Sequence, residues 1–182
     1  TVNGVAATVA GETFEATLTL AEGETALTAE AADSLGHVSL SAAVTVTVDT
    51  LPPVVTLTVP LDPLVGAATV AVMGTVHEPH LESLTVAGIE AVVDGTGFTV
   101  DGVPLEVEGD NPVVAVARDT FGHEASSNVV VYVRDTTAPE IAITEPAEGA
   151  ILTAAALVVS GSVADAHLET VTVNGVAATV AA

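Results

Sequence analysis

Cysteine is missing from these 182 residues, so neither a disulfide nor a thiolate metal site can stabilise the chain. Lysine is missing too, and the only strong bases are Arg118 and Arg134. Nucleic acids and anionic membrane surfaces need clustered Lys or Arg and are poor partners, so no nucleic acid is expected. Without lysine, Lys–Asn isopeptide cross-links cannot form either. There is no Trp, and Tyr132 is the only tyrosine, which removes the aromatic platforms that carbohydrate-binding surfaces use. Tyr132 alternates with inward residues of its strand and is expected in the core. No apolar run has the length of a membrane span, so no membrane insertion is expected. No basic, apolar, small-residue leader is present; Thr1 reads as lying inside a domain, so that says nothing about export. A Gly-x-Ser-x-Gly elbow, a phosphate-cradling Gly loop ending in Lys and a His-Glu-x-x-His helix are all absent, and no catalytic residue is assigned.

What is abundant is equally one-sided. Apolar residues make up 49% of the chain, mostly Val, Ala and Leu, and with Thr they favour pleated sheet over helix. Twenty-four acidic residues against two bases give a formal charge of −22. Such a surface keeps a protein soluble in salty surroundings and makes cations its natural partners.

The chain repeats itself. TVNGVAATVA at 1–10 returns at 172–181, a period of 171 residues (172 minus 1). Within it lies a looser period: HLESLTV at 80–86 answers HLETVTV at 167–173, and DTFGHEASSNVVVYVRDTTAP at 119–139 answers DSLGHVSLSAAVTVTVDTLPP at 33–53. The long period is therefore two related units of about 86 residues, and repeats of that size signal stacked modules.

The unit from Pro53 reads as short strands: 54–60 with Val55, Leu57 and Val59 inward, 69–76, two strands in 83–93 around Ala87-Gly88, then 97–100, 104–110, 113–119 and 128–135. Seven or so short strands separated by turn residues, with no helical period, predict an all-β fold of tandem Ig-like β-sandwiches. One complete domain (53–138) is expected between two partial ones, the C-terminal part of a repeat (1–52) and the N-terminal part of the next (139–182). TV-NG-VAATV is a strand, a type I′ Asn-Gly turn and a strand, expected to be the hairpin that leaves the third strand.

These motifs resemble a known family, the tandem bacterial Ig-like domains of the glucodextranase domain-B-like kind. The resemblance rests on the T-V-N-G hairpin, the Gly-x-x-Phe strand entry (GETF, GTGF), the acidic-Gly turn, the A-x-D-x-x-G-H loop and the closing V-x-D-T-x-x-P. It implies a bacterial extracellular or cell-surface location, a spacer, stalk, fibre, adhesin or enzyme-accessory role, and no catalysis. The repeated decapeptide admits two arrangements: a window on a longer tandem array, which it favours, or protomers that polymerise by strand complementation.

An Ig-like sandwich brings the entering linker to the loops after its second and sixth strands. Asp49, Glu78 and Asp119 are expected to meet at one junction. Asp135 and Asp165 are expected to meet the counterpart of Asp33 at the next. Carboxylate and carbonyl oxygens are what Ca²⁺ takes, so a Ca²⁺ stiffening each junction is one reading. The other is that these aspartates cap local amides in Asx-turns. The histidines recur in step (His37 with His123, His80 with His167) and are expected to pack at loop ends and hydrogen-bond backbone. Val114, Val116, Val131 and Val133 are expected to face outward on neighbouring strands, where the sibling repeat carries Thr and Glu, and to form a lateral or interdomain contact. The functional expectation is a structural spacer with head-to-tail neighbours of its own kind. The alternative is a carbohydrate-associated accessory module of a larger secreted enzyme. The tip ligand of such a fibre is not encoded in this stretch.

Overall fold

The computed structural model describes residues 1–181, and Ala182, the last residue of the expected 139–182 segment, lies outside them. Its compact units are two: Thr1–Leu61 with Thr69–Pro104 and Pro112–Val131, and Asp62–Ala68 with Leu105–Asn111 and Tyr132–Ala182. Among the described residues there are strands and turns and no helix.

Six strands precede Pro53: β1 (Thr8–Ala10), β2 (Thr13–Glu15), β3 (Gly23–Leu27), β4 (Glu30–Ala32), β5 (Val38–Leu40) and β6 (Val44–Val48). The middle of the chain holds β7 (Val54–Leu57), β8 (Leu64–Val65), β9 (Thr69–His77), β10 (Leu81–Val86), β11 (Ile89–Glu90), β12 (Val92–Asp94) and β13 (Gly97–Pro104). It continues through β14 (Gly109–Val113), β15 (Ala115–Asp119), β16 (Glu124–Ser126) and β17 (Val130–Arg134). The last four are β18 (Glu140–Glu145), β19 (Ser160–Ala164), β20 (Thr172–Val173) and β21 (Val176–Ala177).

In the first unit two antiparallel four-stranded sheets, ordered β12-β13-β9-β7 and β11-β10-β15-β16, form an Ig-like sandwich. Period-2 alternation explains the core: Val55 and Leu57 on β7, Val72 and Val76 on β9, and Leu84 and Val86 on β10 are buried while their neighbours face out. Ala115 and Ala117 are buried on β15, and Phe98 and Val100 on β13. Gly74 is required by this packing. A Cβ there would lie 2.4 Å from Phe98 Cζ and 2.3 Å from the Thr56 carbonyl oxygen, so the ring occupies the space a side chain would need. In the second unit Val133 and Arg134 of β17 pair in parallel with Leu64 and Val65 of β8, and Leu105, Asn111 and Tyr132 are buried. Burial pushes the Tyr132 phenol up from its ordinary pKa.

Three strand expectations change. Val59 is 70% exposed rather than inward, because β7 ends at Leu57 and the chain turns away at Pro60. The strand expected at 97–100 runs on through Pro104, its register shifted between Val100 and Val103 where Gly102 takes φ +74°, and of the strand expected at 104–110 residues 105–108 are a loop before β14. The strand expected at 113–119 breaks at Val114 into β14 and β15, which join different sheets. The three Asn-Gly-type turns take positive φ at both central residues: Asn3 and Gly4 (45°, 79°), Ala87 and Gly88 (49°, 78°), Asn174 and Gly175 (50°, 81°). That is the two-residue type I′ geometry.

Candidate functional site

Asp49 follows β6 and begins the Asp-Thr-Leu-Pro-Pro linker that enters β7. Thr50 anchors that linker: its amide donates to Glu22 at 3.1 Å and its hydroxyl bonds the same carboxylate. Across the linker stands the loop after β9. There Glu78 Oε1 accepts the His80 amide at 2.8 Å, which turns the ring toward Asp49, and His80 Nδ1 lies 2.7 Å from Asp49 Oδ2. The carboxylates are sheltered, the side chains of Asp49 and Glu78 being only 10% and 5% exposed, while that of His80 is 37% exposed. Phe121 packs edge-on to the His80 ring at 5.3 Å, and the His80 carbonyl accepts the Thr120 amide at 2.9 Å. The loop after β15 is thus tied to the same histidine.

That loop is built around Asp119, whose side chain is fully buried. Its Oδ1 accepts the amides of Phe121 (2.9 Å) and His123 (2.8 Å), and its Oδ2 lies 2.7 Å from His123 Nδ1. Gly122, at φ +93°, allows the reversal that brings His123 back onto the aspartate. Burial pushes the Asp119 carboxyl up, but the hydrogen bonds from the His123 ring and from the His123 and Phe121 amides outweigh it and hold it below the ordinary carboxylate value.

Two overlapping groups result. Asp49, Glu78 and His80 bring one ligand-type atom each within 4.8 Å of one another, and so do Asp49, Asp119 and His123. Asp49 belongs to both. Three carboxylates face two imidazoles, so one negative charge remains even with both rings protonated.

The second unit repeats the design. Asp135 Oδ2 lies 2.7 Å from His167 Nδ1, Asp165 Oδ1 accepts the His167 amide at 2.7 Å, and Thr136 is anchored on Glu108, its amide at 3.0 Å. The hydrogen bond from the His167 ring, with those from Thr137, holds the Asp135 carboxyl below its ordinary value. Asp33 reproduces only the Asp119 loop, accepting the amides of Leu35 and His37 and pairing with the His37 ring at 2.8 Å. The His37 ring is the main reason the Asp33 carboxyl is lowered as well.

Asp49 therefore meets Glu78 in one group and Asp119 in the other, and Asp135 and Asp165 both bond His167, while Asp33 contacts its own loop. Contrary to the backbone bonding expected for them, the rings of His37, His80, His123 and His167 each bond a carboxylate. The spacing held a usable signal: Asp-x-x-x-His at 33/37 and 119/123, and acid-x-His at 78/80 and 165/167. Of the four valines, Val116 alternates with buried Ala115 and Ala117 on β15, and Val131 alternates with buried Val130 and Tyr132 on β17. Val114 sits at the break before β15, and Val133 is half-buried beside Leu64. β15 neighbours β10 and β16, whereas β17 neighbours β14 and β8, so the patch does not form on one sheet.

Sandwich, hairpins and junction loops together define a bacterial Ig-like repeat. The chain belongs to the glucodextranase domain B family, whose model matches residues 53–134 and again 139–182. Members of such Ig-like families are accessory modules related to domains of secreted enzymes, and are typically non-catalytic. Bacillopeptidase F of Bacillus subtilis (strain 168) is 32% identical over 120 residues, 65% of this chain but only 8% of that protein's length. Among solved structures, the fibronectin(III)-like modules of Clostridium thermocellum CbhA align at TM-score 0.33 and 21% identity, over 64% of this chain and 65% of theirs. Among the described residues no helix is long and apolar enough to cross a membrane.

Proposed function

We propose that this chain is a non-catalytic spacer of a bacterial extracellular or cell-surface protein, one that holds successive Ig-like repeats at a fixed angle. The observation that supports this is the recurrence of one junction. Asp49 with His80 and Asp135 with His167 tie the linker leaving one repeat to the loop after the second strand of the next, both at 2.7 Å. Each latch is backed by a threonine–glutamate anchor and a prolyl linker, which together leave the linker few ways to bend. The partners under this reading are neighbouring repeats, head to tail.

A divalent cation, Ca²⁺ in the first instance, is the second reading, favoured by the unbalanced negative charge of Asp49, Glu78 and Asp119. Oxygen-only coordination suits Ca²⁺, whereas the two imidazoles in the group would suit a transition ion. The hydrogen bonds that each carboxylate accepts already supply much of what a cation would. Negative-stain images of the protein, alone and with His80→Ala plus His167→Ala, test the spacer reading: the variant is expected to show a broader spread of inter-repeat angles. An unchanged spread would overturn it. A melting temperature that falls in EDTA and recovers in Ca²⁺ would favour the cation.

A further inference from the structure

We infer that Asp49, Glu78 and His80 at the first junction bind a divalent transition ion of the Zn²⁺ class, and that the second junction does not. This narrows the cation reading to one junction and one class of ion. It needs nothing from the spacer reading, because ion occupancy and inter-repeat angle are measured separately.

Sheltered carboxylate oxygens normally accept hydrogen bonds, and one that accepts none calls for another partner. The side chains of Asp49 and Glu78 are both nine-tenths or more buried. Among the described residues Glu78 accepts one hydrogen bond, from the His80 amide to Oε1, and Asp49 accepts one, from the His80 ring to Oδ2. Their other oxygens, Glu78 Oε2 and Asp49 Oδ1, receive no donor from the protein, and neither is sealed from solvent. No strong base offsets the charge: Arg118 is held by Glu82 at 3.0 Å, and no arginine pairs with Asp49 or Glu78 among the described residues. Asp119 is saturated by two amides and the His123 ring, so it is not a ligand. Its carboxylate, within 4.8 Å of Asp49, adds fixed negative charge.

The second junction shows what fills such an oxygen. Asp135 Oδ1 accepts the Thr137 amide at 3.1 Å and the Thr137 hydroxyl at 3.2 Å, while Oδ2 bonds the His167 ring. Both oxygens are taken. Leu51 stands where Thr137 stands; it has no hydroxyl, and its amide does not donate to Asp49, so Oδ1 stays open. Asp165 is also one methylene shorter than its counterpart Glu78. Asp135, Asp165 and His167 form no group within 4.8 Å among the described residues, whereas Asp49, Glu78 and His80 do.

The donor set selects the ion. His80 Nδ1 faces both carboxylates, at 2.7 Å from Asp49 Oδ2 and 3.9 Å from Glu78 Oε1. Two carboxylates and an imidazole suit Zn²⁺, which is commonly held by three protein ligands with water completing the shell. Ca²⁺ takes about six to eight oxygens, more than this sheltered corner supplies. On binding, the ion replaces the Nδ1 proton, which leaves to water, and the ring keeps its other proton on Nε2.

Calorimetric titration of the chelator-stripped full chain with Zn²⁺ alone is expected to show a single tight ion per chain. Glu78→Gln keeps an oxygen for the His80 amide, and with it the latch, and is expected to weaken binding at least about tenfold. Asp165→Asn is expected to leave the affinity unchanged. In the parent protein Zn²⁺ is expected to shift the ring nitrogen signals of His80 and leave those of His167 in place, a readout that needs no variant to fold. Two ions of equal affinity, a Glu78→Gln chain that binds as the parent does, a His167 shift matching that of His80, or full displacement of Zn²⁺ by an equal concentration of Ca²⁺ would each overturn the inference. No binding, in a chain whose inter-repeat angles stay fixed, would overturn it and leave the spacer reading intact.

Discussion

Residues 53–134 and the stretches on either side carry the same pattern of strands and loops, yet they differ in what they bury. In the middle repeat the template positions are sealed: Leu57 is 2% exposed, Phe98 3% and Val130 3%. Their counterparts Ile143, Phe14 and Val44 are 62%, 55% and 61% exposed. No described residue before Pro53 or after Tyr132 is buried. The hairpins and Asx loops nevertheless form in the flanks with the template's geometry. Turns and loops of this family are thus specified locally, by Asn-Gly pairs and Asp-x-x-Gly-His runs, while the sandwich needs both halves of a repeat. Burial of apolar surface is non-local and comes only with the partner strands.

The largest effect that would sharpen this contrast comes from one truncation made twice. Leu57→Ala is expected to lower the unfolding free energy of the middle repeat by about 2–5 kcal/mol. Ile143→Ala at the equivalent place is expected to change stability by less than about 0.5 kcal/mol in the dilute single chain. Urea denaturation of the two variants decides it, and equal losses would break the comparison. Next is the Asx loop: Asp119→Ala should lower the melting temperature well beyond Asp33→Ala, because both aspartates accept two amides and a histidine but only Asp119 is buried.

A smaller gain is expected from Ala87→Asn. Asn occupies the same turn position at 3 and 174, and Ala87 holds φ +49° with a Cβ, so the exchange should stabilise by about 1 kcal/mol, read from the denaturation midpoint. The smallest effect is acid sensitivity. The carboxyls of Asp33, Asp119 and Asp135 are lowered in the folded chain, so below the ordinary carboxylate value the unfolded chain binds more protons. The stabilisation they give is complete above about pH 3.9 and is lost as pH falls through the folded values. Melting curves between pH 5 and pH 2 should show Asp119→Asn with a shallower acid slope than the parent.

Much of this was legible in the residues. Alternation placed Val55, Leu57 and Tyr132 inward, the Ala-Gly and Asn-Gly pairs marked their turns, and the V-x-D-T motif marked the linker. The breaks were not legible: nothing in VVAVARD says that the strand changes sheet at Val114, since that depends on which strand lies alongside. β8 was missed because two residues are too few to show a period. Convergence of Asp49, Glu78 and Asp119 followed from topology alone. The role of histidine did not, because Asp49 and His80 lie 31 residues apart and a ring bonds backbone or carboxylate according to what surrounds it.

The account stands on the histidine latch, and nitrogen-resolved NMR of the imidazole rings tests it most directly. The ring Nδ1–H protons of His80 and His167 should be visible, each held by its hydrogen bond to Asp49 or Asp135. Asp49→Asn should alter the His80 signal alone and Asp135→Asn the His167 signal alone. Ring protons lost to solvent exchange in the parent protein, with spectra unmoved by either substitution, would contradict it.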